Sequence, residues 1–93
     1  MVVGRMTVTL SIPTARSLKD KRRVVRSLIA RLRNQYNAAV AEVGDNDLWQ
    51  SCRLGVAVVS NEAAHADQQL AAIVKTVRQE TEAFLVDYEI EMV

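Results

Sequence analysis

A chain of 93 residues, 49% hydrophobic and 25% charged with three Gly and one Pro, has the composition of one folded domain spanning residues 1–93. Disordered, collagen-like and low-complexity classes are excluded. The net charge of +1 conceals a strong polarity: from Thr14 to Tyr36 eight cations face the single acid Asp20, a net of +7, while the rest holds four cations and ten acids, a net of −6.

Val2 to Ile12 alternates, with Val2, Met6, Val8, Leu10 and Ile12 on one parity and Arg5, Thr7, Thr9 and Ser11 on the other, which predicts a half-buried strand ended by Pro13. Ser17-Leu18-Lys19-Asp20 fits a capping box, with Ser17 as N-cap. The helix that follows places Leu18, Val25, Leu28, Ile29, Leu32 and Tyr36 on an apolar stripe. Lys19, Arg22, Arg23, Arg26 and Arg33 fall on an adjoining arc about 100° wide. Ala38 to Val43 reads as a short strand, Gly44-Asp45-Asn46-Asp47 as a turn, and Gln50 to Ser60 as a third strand with Cys52, Leu54, Val56 and Val58 inward. Ser60-Asn61 is the expected cap of a second helix, whose buried stripe is Ala63, Ala66, Leu70, Ile73, Val74 and Val77. The last strand alternates, with Val86, Tyr88, Ile90 and Met92 on one face and Asp87, Glu89 and Glu91 on the other. The order β-α-β-β-α-β predicts an α+β ferredoxin-like sandwich: a four-stranded antiparallel sheet with two helices on one face.

No apolar run approaches the ~20 residues of a membrane span, and Gly4 and Arg5 interrupt any signal-peptide core. No membrane contact is expected. The lone Cys52 cannot pair internally, so a reducing compartment, the cytoplasm, is expected.

The basic helix is the main candidate site, with Arg16, Lys19, Lys21, Arg22, Arg23, Arg26 and Arg33 as the candidate nucleic-acid contacts. Two readings are open. Either the face is merely solvated, or it meets a polyanion that relieves its self-repulsion, a role suited to Arg, which outnumbers Lys five to two between Lys19 and Arg33. Recognition of bases on the sheet is not expected, because the outward positions of the first and third strands (Arg5, Thr7, Thr9, Arg53, Gly55, Ala57) hold no aromatic. Arg5 is placed to meet an acid of the final strand across that face.

Signals for catalysis are weak. The loop Pro13-Thr14-Ala15-Arg16-Ser17 has no glycine with which to cradle a phosphate, as small acyl-phosphate hydrolases of this fold do. His65 is expected in solvent and Cys52 in the core, which separates the only Cys–His pair. Asp45-Asn46-Asp47 lacks the Gly and closing Glu of a calcium loop. No cofactor or metal is expected. Trp49 reads as a lid over one end of the core or, alternatively, as a partner contact.

Ile12-Pro13-Thr14-Ala15-Arg16-Ser17-Leu18-Lys19-Asp20-Lys21-Arg22-Arg23 resembles the "ARSLKEKR" signature of the YlxP-like bacterial proteins, with Asp20 where Glu is more usual. Ala41-Glu42-Val43-Gly44, Asp47-Leu48-Trp49-Gln50 and Leu54-Gly55-Val56-Ala57-Val58-Val59-Ser60 resemble that family's central block. The resemblance implies a ferredoxin-like fold and supplies no catalytic residues. Family members are often encoded beside translation-initiation and ribosome-maturation genes, which implies a link to RNA or the ribosome. The resulting expectation is a non-enzymatic module that binds structured RNA, ribosomal RNA or ribosomal particles, through the first helix. The alternative is a protein-interaction module, a homodimer formed through the open sheet face or the edge of the second strand.

Overall fold

The computed structural model describes residues 1–93, which run β1 (Val2–Ser11), α1 (Leu18–Gln35), β2 (Ala39–Gly44), β3 (Ser51–Ser60), α2 (Ala63–Arg78) and β4 (Phe84–Met92). The sheet order is β2-β3-β1-β4 and every neighbouring pair is antiparallel. Both helices cover one face, α1 over β2 and α2 over β1, β3 and β4. The expected ferredoxin-like order is therefore the observed one.

Alternation builds the sheet half of the core. Met6, Val8, Leu10 and Ile12 of the β1 segment and Cys52, Leu54, Val56 and Val58 of β3 are all buried against the helices. Gly4 lies where β1 passes under α2: a Cβ there would stand 3.1 Å from Leu70 Cδ1 and 3.3 Å from the Ala66 methyl. An alanine there would require these neighbours to give by a few tenths of an ångström.

At the start of α1, the Asp20 N–H donates to Ser17 Oγ at 3.1 Å, and the Asp20 carboxylate accepts the Arg16 N–H at 3.1 Å. The reciprocal bond thus reaches one residue further back than a capping box requires. The buried face of α1 is Lys21, Val24, Val25, Leu28 and Leu32, rotated from the expected stripe; Leu18 is only half-buried. The helix lies over β2 and its hairpin, and that placement turns positions 21 and 24 downward. Helix α2 begins at Ala63 after Glu62, with no side-chain cap; the Ser60 hydroxyl instead accepts the Glu62 N–H at 3.2 Å. Ala63 is exposed, and Thr76 takes a place in the buried face that alternation of apolar residues did not reveal. Tyr36 OH donates to the Ala72 carbonyl at 3.1 Å, which leaves the Thr76 hydroxyl as donor in their 2.6 Å contact. This pair fastens the end of α1 to the last turns of α2.

The final strand departs from simple alternation. Thr9 pairs with Asp87 but Leu10 pairs with Leu85, so Val86 is an extra residue, a β-bulge. Beyond it the parity reverses. Leu85 packs on the core, Val86 is 64% exposed, and Phe84, opposite Ser11, joins the outer face. The expectation that Val86 faces the core is corrected by this bulge, and Tyr88, although on the inward parity, sits at the sheet edge 40% exposed. Replacement by alanine separates the two arrangements. Leu85→Ala should cost about 1–2 kcal/mol in urea unfolding, and Val86→Ala no more than about 0.5 kcal/mol. Strict alternation requires the reverse order.

Candidate nucleic-acid interface

Helix α1 presents its cations in two groups that differ in what they touch. Lys19, Arg22 and Arg26, at i, i+3 and i+7, form an exposed stripe with a rise of about 10 Å. No acid lies within ion-pair distance of them. With Asp20 and Arg23 they border an open hollow of about 470 Å³ on the outer side of the helix. Arg16 is exposed just before the cap, where its N–H is held by Asp20.

The other cations are engaged. Lys21 is 1% exposed, its Nζ 2.9 Å from the Glu42 carboxylate and donating to the Asp45 carbonyl. Lys21 is thus removed from the expected contact set: it stands three residues before Val24 and seven before Leu28, on the buried side of the helix. Arg33 stays exposed but is tied to the sheet. Its Nη2 donates at 2.6 Å to the carbonyl of Val40, on the edge strand β2. Arg31 reaches the Thr76 carbonyl at 3.2 Å and Glu80 at 3.4 Å. Arg23 remains in solvent but binds Glu82 through both nitrogens, at 3.2 and 3.1 Å. That hydrogen-bonded pair raises the Arg23 pKa and holds the Glu82 carboxyl below its ordinary range.

The region around Lys21 is structural. The Cys52 thiol is pushed up to about 12, first by burial and then by the Glu42 carboxylate. His65 lies exposed on α2, so the Cys–His pair does not converge. No three His, Cys, Asp or Glu side chains gather as a metal-holding group. The Asp45 segment is a turn, with Asp45 at φ 59° and the Leu48 N–H on its carbonyl at 3.0 Å.

On the outer sheet face, Arg5 meets Glu91 directly across the β1–β4 pair at 2.8 Å, as its parity implied. Asp87 and Glu89 continue that acidic row opposite Thr9 and Thr7. Nearer β2 the face is apolar: Ala39, Ala41, Val43, Gly55 and Ala57 line a hollow of about 490 Å³. Val43, the bulged residue of β2, crosses Gly55 so closely that a Cβ there would lie 2.8 Å from its Cγ1.

Trp49 does not seal the core, and the lid expectation is corrected: it and Leu48 are each 53% exposed. Of the residues that hold these groups in place, Glu42 lies in the stretch Ala41-Glu42-Val43-Gly44 while Glu80 and Glu82 carry no local motif, and only an excess of acids outside α1 hinted that some would answer its cations.

Lys21→Ala should cost about 3 kcal/mol or more in urea unfolding, since it strands the Glu42 carboxylate. Lys21→Met with Glu42→Leu should recover most of that loss, whereas a phosphate-binding Lys21 would change affinity and leave stability alone. For Glu82, a carboxyl pKa lowered by folding means that its contribution is present above the ordinary carboxylate value and is lost as pH falls through the folded one. Urea melts across that acid range should show a pH dependence that Glu82→Gln reduces.

Over residues 3–90 the chain matches the family described as "Protein of unknown function (DUF503)". It is 33% identical over 72 residues to the "Uncharacterized protein YlxP" of Bacillus subtilis (strain 168), covering 77% of this chain and 78% of that one. Two solved structures share the fold. The de novo designed protein Foldit4 superposes with a TM-score of 0.55 at 7% identity, covering 100% of this chain and 97% of that chain. The designed protein LFR1 1, with a ferredoxin fold, superposes with a TM-score of 0.52 at 16% identity, covering 100% and 84% respectively. Matched along nearly its whole length, the chain belongs to this YlxP-like family of proteins of unknown function.

Proposed function

We propose that the protein is a non-catalytic module that binds structured RNA, ribosomal RNA or ribosomal particles in particular, through the outward stripe of α1. One observation carries the reading. Lys19, Arg22 and Arg26 are exposed on one line with no acid to pair with, although the same chain supplies Glu42, Glu80 and Glu82 to other cations of that helix. Like charges at spacings of three and four destabilise a helix by a few tenths of a kcal/mol each, and a row of phosphates would relieve that cost. Arg16 extends the row past the helix start, and Arg23 can join it by leaving Glu82. The contact would be to phosphates along the helix, since on the outer sheet face Arg5 is paired with Glu91, and Asp87 and Glu89 stand beside Arg53.

The test is a double charge reversal. Arg22→Glu with Arg26→Glu touches no buried residue, so stability should move by no more than about 0.5 kcal/mol per site. Affinity for structured RNA or ribosomal particles should fall at least tenfold, about 1.4 kcal/mol. The dependence on salt should become shallower by about one unit for each phosphate that the variant no longer neutralises. Unchanged affinity with an unchanged salt slope would overturn the reading.

A further inference from the structure

Trp49 is the one tryptophan of the chain, and it stands half in solvent on a loop that is anything but loose. Its neighbour Gln50 donates its side-chain amide to the Pro13 and Ala15 carbonyls, both at 3.1 Å, and accepts the Ile12 N–H on its own carbonyl at 2.9 Å. On the other side, the Leu48 N–H closes the turn onto the Asp45 carbonyl, which also receives Lys21 from the first turns of α1. Trp49 is thus held between two hydrogen-bonded segments while about half of its own surface stays in solvent. A rigid, exposed aromatic is an unfavourable surface for a solitary domain and a favourable one for a contact, because little entropy remains to be lost on binding.

The same hydrogen bonds place it. Gln50 lies on Ala15, the residue before Arg16, and Lys21 joins the turn to the helix that carries Lys19 and Arg22. The loop that carries Trp49 is therefore held against the start of α1, next to Arg16, and Leu48, Trp49, Gln50 and Ser51 border a shallow hollow of about 410 Å³. An exposed aromatic on a loop fastened to the residue before the exposed Arg16 matches a nucleotide, whose base stacks while its phosphate pairs. An apolar protein partner would have to bury those neighbouring charges.

We propose that Trp49 is a stacking platform for an unpaired base, so that the RNA bound by α1 is a stem interrupted or ended by an unpaired nucleotide. This rests on the reading of α1 as a phosphate contact and specifies which RNA that contact takes. Phosphates of the stem lie along Lys19, Arg22 and Arg26, and the base beside Arg16 turns onto the indole.

Two RNA probes of one length test this with the full chain: a fully paired stem and the same stem carrying an unpaired bulge. The bulged RNA should bind about tenfold more tightly and should change the fluorescence of Trp49, the chain's single tryptophan. Trp49→Ala should bring the bulged RNA down to the affinity of the paired stem and leave the paired stem's affinity and salt slope unchanged. Trp49→Phe, which keeps an aromatic face, should retain most of the preference. Equal affinity of the native chain for the two probes, a preference that survives Trp49→Ala, or unaltered fluorescence on binding would each overturn the platform while leaving α1 as a phosphate contact. Failure of the native chain to bind either probe would overturn both readings. If Trp49→Ala shifts the protein from dimer to monomer in sedimentation without altering RNA preference, the surface belongs to a second copy and the proposal falls.

Discussion

The buried ammonium of Lys21 decides how α1 sits. It lies between the Glu42 carboxylate and the Asp45 carbonyl, so one side chain of the helix is fastened to both the edge strand and the turn that follows it. A charge taken out of water needs several such partners, and here a carboxylate and a backbone oxygen supply them. With Lys21, Val24, Val25, Leu28 and Leu32 directed at the core, a helical step of about 100° leaves Lys19, Arg22 and Arg26 directed away from it. The rotation of the helix, and with it the line of free cations, follows from what is buried. The same clamp holds the turn before Trp49, so the exposed indole and the exposed stripe share one anchor.

The electrostatics of the chain are divided more finely than its charge polarity suggests. Of the eight cations between Thr14 and Tyr36, Lys21, Arg23 and Arg31 meet Glu42, Glu82 and Glu80, and Arg33 caps a carbonyl. These contacts have different physical weights. Arg23 and Glu82 are both largely in water, where ion pairs contribute little and a competing phosphate could displace the carboxylate. Lys21 is enclosed, and no exchange of partner is open to it without unfolding its surroundings. Arg33 serves the sheet: by occupying the Val40 carbonyl it covers part of the edge strand that would otherwise invite another chain. A concentration of positive charge in sequence thus resolves into structural cations and a smaller free set.

Much of the fold was legible because its code is periodic. The inward parity of β1 and β3, the Ser17 cap and the spacing of Leu70, Ile73 and Val77 each follow from local pattern, and Arg5 found Glu91 by parity alone. What escaped the pattern depends on tertiary contacts. In Ala83-Phe84-Leu85-Val86 four apolar residues run together, so no alternation tells which one the strand extrudes; the pairing with Leu10 does. Lys21 reads as surface because lysine is almost never fully buried, and its two partners come from a different element. Trp49 reads in sequence as a lid over one end of the core or as a partner contact, and only the bonds of Gln50 to the β1–α1 loop show how its segment is held.

The two faces of the molecule set opposite conditions for an anionic partner. The outer sheet face has Arg5 already matched to Glu91, and Asp87 and Glu89 stand in the same row with Arg53 beside them, so β1 and β4 offer a phosphate no surplus of positive charge. Its apolar half, around Gly55, offers small side chains and no aromatic surface on β1 or β3 for a base to cover. On the helical side the order is reversed: Lys19, Arg22 and Arg26 lie outward with no ion-pair partner, and Asp20, in the same turn, spends a carboxylate oxygen on the Arg16 N–H. A fold that elsewhere can use its open sheet to read bases has, in this sequence, a row of free cations along the first half of α1 and the exposed Trp49 on the loop fastened to its start. An RNA partner would therefore be oriented by the helix and its neighbouring loop, with the sheet turned away from it.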